Sequence, residues 1–230
     1  MVTTPDNFDH PGKSSNGRAP RSPIPNGPYI NVLFTATMEA NVGPNRDGTR
    51  VLEHKLTAES KMLSCQKSLT LRHVWDRSRY DQSAHSHLKS TEIDISLPMP
   101  EEVKRIRENS RKYFPEINLV ICFVAGDYFV ENGKQSDTVA YAYKNAGDNH
   151  HSPLYTVLIC DQAQPIACAH ELGHILNYSN KNGLAHDPNP HPDNPDHSAN
   201  PNNLMYPIPG SIITSEQCRQ FFESTIILQN

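Results

Sequence analysis

Apolar side chains in this sequence fall into short dense runs separated by polar connectors, and the spacing within each run names the element it forms. From residue 29 the run YINVLFTATME is β-branched and aromatic, as a strand requires. Leu52, Leu56 and Leu63 then recur at helical spacing and predict an amphipathic helix over roughly residues 50–65. SLTLRHVW and TEIDISL read as short strands on either side of a polar loop. After the break at Pro98 and Pro100, EEVKRIRENSRKYF places Val103, Ile106, Ser110 and Tyr113 on one face. It opens with two acids, which suit the positive end of a helix dipole.

Three strands follow in quick succession, at residues 117–125, 138–143 and 154–160, joined by loops containing Gly and Asn. The first and third are apolar throughout and belong at the centre of a sheet, whereas Tyr141 and Tyr143 mark the middle one as an edge. Pro165 suits a first helical position, and PIACAHELGHIL is apolar on nearly every side apart from its His and Glu residues, so this helix is expected to be buried. Residues 177–207 are rich in Asn, Pro, Asp and His and have no period. Thr214 and Gln217 stand at capping-box spacing and open a last helix holding Cys218, Phe221 and Phe222.

Composition narrows the class. A chain of 230 residues supports one well-buried domain. Residues 1–28 are rich in Pro, Gly, Ser and Asn and bury too little to offset ordering entropy, so they are expected to form a flexible tail before a single domain at 29–230. A net charge of −4 and a pI near 6.3 supply no basic field, so nucleic acid is not an expected partner. No apolar run is long enough to span a membrane. A monomer is expected. The first residues carry neither a secretory signal nor a transit peptide, which points to the cytoplasm or to a non-classical export route. Five cysteines at irregular spacing spell neither a disulfide framework nor a CxxC zinc site.

The chemistry lies in HELGH. Histidines four apart share a helix face, so His170 and His174 can aim ring nitrogens at one divalent cation with Glu171 beside them. A catalytic zinc keeps three protein ligands and one position for water, and an adjacent carboxylate takes that water's proton. Burying these groups among Ile166, Ala167, Ala169, Leu172 and Ile175 would be costly without a metal or a partner. Zn2+ is therefore the expected cofactor, with Glu171 as general base.

HELGH followed by the downstream string LMYP resembles the metzincin clan of zinc peptidases, and LMYP is similar to the Met-turn of matrixins. The resemblance implies an α/β fold: a mixed twisted sheet with two packed helices, an active-site helix, and an irregular lower part ending in a helix. It also implies that Met205 forms an apolar floor under the metal. Where the clan pattern HExxHxxGxxH calls for glycine and a third ligand, this chain has Asn177 and Asn180, so an insertion displaces that ligand. His186 is the expected third ligand, because Gly183–Leu184–Ala185–His186 repeats the GxxH element. His197 is the alternate, because it stands eight residues before Met205 and HSANPNNLMYP is similar to the matrixin run between third histidine and Met-turn. Asp187 and His191 are further options. Tyr206 has no expected catalytic role, and Cys65 supplies no cysteine-switch pattern.

Peptidases commonly hold substrate as an added strand. The segment VAYAYKNAG is similar to the matrixin upper rim, which implies that Val139, Ala140 and Tyr141 pair with an extended protein or peptide substrate. Pro207, followed by Ile208 and Pro209, would line a primed-side pocket. The expected function is hydrolysis of internal peptide bonds. The alternatives are a silent metal- or peptide-binding protein and a zinc hydrolase of a non-protein amide.

Overall fold

The computed structural model describes residues 23–75, 87–144 and 153–230. Most of the expected tail, together with His85, His150 and His151, lies outside the described residues. The elements run β1 (Tyr29–Ala36), α1 (Thr49–Met62), β2 (Thr70–Trp75), α2 (Glu101–Tyr113), β3 (Leu119–Val124), β4 (Val130–Glu131), β5 (Lys134–Gln135), β6 (Ala140–Tyr143), β7 (Tyr155–Cys160), α3 (Pro165–Tyr178) and α4 (Ser215–Phe221). Five strands form one sheet in the order β2-β1-β3-β7-β6. All neighbours are parallel except β6, which runs antiparallel to β7 and closes one edge. The apolar runs at β3 and β7 are buried at every residue and sit inside the sheet, as expected.

Alternation along the strands divides the interior into two layers. Ile30, Val32, Phe34, Ile121, Phe123, Val157 and Ile159 meet Val51, Ala58 and Met62 of α1 and the apolar residues of α3. Leu33, Val120, Cys122, Val124 and Leu158 meet Val103 and Ile106 of α2 on the other face. The chain is thus a mixed α/β domain, the fold class expected, with α1 lying alongside the helix that carries HELGH.

Two expectations need correction. α1 forms where the leucines predict it, but in another phase: Val51, His54, Lys55, Ala58 and Met62 are buried, while Leu56 and Leu63 are exposed. Small Ala58 allows close packing against α3, and that contact sets the phase in place of the leucine spacing. TEIDISL forms no strand. Its start is a 3-10 turn at Ser90–Glu92, followed by a single bridge from Asp94 to Val130. Asp94 turns its carboxylate back to Ser96 and onto the N–H groups of Asn132 and Gly133. Those two residues, both at positive φ, make the tight β4–β5 hairpin, a turn that an Asn-Gly pair favours and that the sequence reading did not single out.

Residues 179–214 wrap under α3 and are held mainly by buried side-chain amides. Gln217 Nε2 donates to Asp187 and to Asn203 Oδ1 (2.9 Å), and its Oε1 accepts from Asn203 Nδ2 (2.8 Å). Gln220 Nε2 donates to Asn177 Oδ1 (3.0 Å), the Leu184 carbonyl (2.8 Å) and the His186 carbonyl (2.6 Å). The expected capping box at Thr214 and Gln217 opens α4. The odd cysteine count conceals one bridge, Cys65–Cys218, which ties α4 to the end of α1; Cys122, Cys160 and Cys168 are buried thiols.

Candidate metal centre

The sheet delivers α3 as a buried helix, with His170, Glu171 and His174 all nearly inaccessible to solvent. His170 Nδ1 donates to the Leu204 carbonyl at 2.7 Å; because a carbonyl can only accept, this fixes the tautomer and leaves the Nε2 lone pair free. His170 Nε2 lies 3.0 Å from His174 Nε2. The ring of His197 completes the group, stacked on His170 at 5.2 Å between centroids and edge-on to His174 at 4.8 Å. One ligand nitrogen from each of His170, His174 and His197 falls within 4.8 Å of the others.

The donor set fits a metal ion. Burial holds His170 down to about 4, against a weaker upward pull from its Leu204 hydrogen bond. Burial also pushes His174 well below its usual range, helped by His170, His197 and Lys144. His197 is lowered for the same first reason. Three neutral imidazoles facing one another have lone pairs to share and few protons to satisfy them. Two nitrogens on a tetrahedral zinc at about 2.0–2.1 Å would lie about 3.3 Å apart, close to the His170–His174 separation. A group of this kind could hold a metal ion.

His186, the first expectation for the third ligand, is not among these three. α3 does not stop where the HExxHxxG pattern would end it; it runs on through buried Asn177 to Tyr178. Gly183 does take a left-handed turn (φ 71°), but only after the chain has left the helix, so the residue three further on points away. The His186 side chain is 57% exposed and its Nδ1 sits 2.6 Å from Asp196 Oδ1. Asp187 faces inward to Gln217 rather than to the histidines. The His191 ring packs near Tyr206 at 5.9 Å, and the His191 backbone N–H donates to the His197 carbonyl.

Met205 is fully buried beneath α3. A Cβ built on Gly173 would come within 2.3 Å of Met205 Sδ and 3.3 Å of Phe221 Cζ, so glycine inside HELGH makes room for the methionine. The carbonyls on this turn brace the ligand residues: Leu204 O accepts from His170, and Met205 O accepts from the N–H of Ser198, next to His197. Asn203 Oδ1 in turn accepts from Met205 N. Asn203 and Gln220 went unnoticed in the sequence, and Gln217 was marked only by its capping-box spacing.

Glu171 is buried beside the triad. Burial pushes its carboxyl up to about 8, opposed by a hydrogen bond from the Ala142 backbone on β6. β6 is the edge strand of the described sheet. Val139 immediately precedes it, and Ala140 and Tyr141 are its first residues. Pro207 is exposed just past the buried methionine turn.

No protein-family model matches the chain, and no curated protein sequence matches it. Among solved structures it is similar to metalloproteinase-II from Bacteroides fragilis, with a TM-score of 0.53 and 14% identity, over 85% of this chain and 52% of that one. The chain therefore spans about half the length of that protein. The structure of a chaperone–substrate complex is also similar at 14% identity, over 66% of this chain and 23% of the other, with a TM-score of 0.41 that bears no weight. At such identities likeness speaks of fold alone. The fold is that of a metalloproteinase-like α/β domain, and in it three histidines from two distant segments converge on a point where a metal ion could be held.

Proposed function

We propose that this chain is a zinc-dependent endopeptidase in which His170, His174 and His197 hold the metal and Glu171 acts as general base. The observation that carries the reading is the meeting of two buried imidazoles and a half-buried third, all held toward the neutral form, beside a buried carboxylate. When bound by three imidazoles with one position open, zinc supplies a Lewis acid and a water acidified to a pKa of about 7.

The chain's own residues do the rest. Glu171 takes the proton of the attacking water and returns it to the leaving amine. Burial raises its carboxyl to about 8, and positive charge held among the histidines would lower it again, favouring the carboxylate that accepts a proton. Ala142 N–H holds the carboxylate in place. The open edge at Val139, Ala140 and Tyr141 offers backbone groups to an extended peptide, and Pro207 borders the primed side. The placement of Met205 against Gly173 supports the resemblance to the metzincin clan.

Metal analysis of the purified chain and cleavage of a peptide library, with and without chelator, test this reading. Glu171→Ala should retain zinc and lose at least about 100-fold in turnover, the usual contribution of a general base. Activity that survives the substitution would remove Glu171 from the mechanism. Stoichiometric zinc with no cleaved peptide would favour the silent binder or the hydrolase of another amide.

A further inference from the structure

Asp196, the residue before His197, is a meeting point of three segments. Its Oδ2 accepts the Tyr178 hydroxyl at 3.1 Å, at the end of α3. Its Oδ1 faces His186 Nδ1 at 2.6 Å, in the inserted loop. Lys144 Nζ, one residue past β6, lies 3.6 Å from Oδ2. The Asp196 side chain is mostly covered by these neighbours. The Tyr178 ring in turn stacks on His174 at 5.8 Å with planes 16° apart, and Lys144 sits over that ring at 5.3 Å.

The three histidines differ in how their second nitrogen is held. His170 is oriented through Nδ1 by Leu204, whereas Nδ1 of His174 and of His197 is buried with no hydrogen-bond partner among the described residues. Metal-ligating histidines are ordinarily oriented through that nitrogen. His174 is fixed by its helix, but His197 ends a long irregular segment, residues 179–196. Its own backbone is tied within that segment, by its N–H on the Asn194 carbonyl and by the His191 N–H on its carbonyl, while the Ser198 N–H on the Met205 carbonyl and the Tyr178 hydroxyl on Asp196 tie it to the turn beneath α3 and to α3 itself.

We infer that Asp196 is a positioning residue, a latch closed by Tyr178 and His186 that seats His197 against α3. The inference rests on the metal-site reading above. On this view the inserted loop displaces the third ligand and also supplies the clamp that holds its replacement, and His186 serves the site without touching the metal.

Zinc and cobalt(II) titrations of the full chain test it, using Asp196→Ala, Tyr178→Phe, His186→Ala and His186→Gln. Asp196→Ala should weaken zinc binding roughly 10- to 100-fold, the range for lost outer partners of metal ligands. Tyr178→Phe keeps the stacked ring and loses only the hydroxyl, and should weaken binding by about 10-fold. His186→Gln retains a donor for Asp196 and should stay within about twofold of wild type, whereas His186→Ala should not. The visible cobalt spectrum of Asp196→Ala should shift toward that of His197→Ala, which a general loss of stability would not produce. If Asp196→Ala does not fold, Tyr178→Phe and the two His186 variants decide the matter. Wild-type zinc affinity and cobalt spectrum in the variants would overturn the latch alone. A wild-type chain that takes up no zinc would overturn both the latch and the metal site.

Discussion

In the proposed site His170, His174 and His197 would serve as ligands because burial holds them toward the neutral form, and burial of histidine sets a cost that appears on acidification. His197→Ala removes one donor of three and should weaken zinc binding by more than about 100-fold, beyond the loss of an outer partner. His186→Ala should still reach one zinc per chain at saturating metal. Zinc content of the two purified variants checks this, and a full His197→Ala beside an empty His186→Ala would restore the ligand first expected from sequence. A second residue-scale effect belongs to His54, fully buried on α1 and held down to about 3, first by burial and then by Arg50. His73 is likewise held down to about 4 by burial and Lys55. Folded-state values below the unfolded 6.5 mean that the unfolded chain binds more protons below that pH. Stability should therefore fall as pH drops from about 6.5 and level off near 3 to 4. His54→Leu removes one contributor, so its melting temperature should decline less between pH 6.5 and 4.5; an unchanged slope would show that His54 is not protonated on unfolding.

At the scale of elements, α3 and the turn beneath it form one packed unit. The pairing of His170 and His174 was legible because helical spacing puts both on one face, and LMYP drew attention to Met205. The contact between helix and turn was not legible, since Gly173 and Met205 are brought together only by the path of residues 179–204. Gly173→Ala should gain up to about 1 kcal/mol of helix propensity and lose about 1–3 kcal/mol to overpacking against Met205 and Phe221. A net fall in melting temperature with weaker zinc binding is expected from thermal unfolding with and without metal, and a more stable, fully metal-competent variant would contradict it. The leucines of α1 misled for a related reason. Burying one such side chain contributes about 1.5–3 kcal/mol, but a helix can turn only one phase toward its neighbour, and the phase with small Ala58 allows closer packing.

Across the whole molecule, Cys65–Cys218 spans 153 residues and joins the end of α1 to the helix whose Gln217 and Gln220 hold the lower part together. Closing so long a loop restricts the unfolded chain, so reduction or Cys65→Ser should cost about 2–4 kcal/mol. Melting with and without a dithiol reductant checks this; identical curves would mean that the bridge contributes nothing. Such bonds persist where thiols are not kept reduced. No described helix is long and apolar enough to cross a membrane.

The sequence by itself determined which strands are central, which is an edge, where the buried HELGH helix lies, and that His170 and His174 share its face with Glu171 beside them. These are local matters, set by spacing along a few residues. The third histidine, the Asp196 cluster, the phase of α1 and the Cys65–Cys218 pair were decided only by tertiary structure. Each depends on where a long irregular segment or a neighbouring helix comes to rest, and that is set by packing and buried amide hydrogen bonds between residues far apart in the chain.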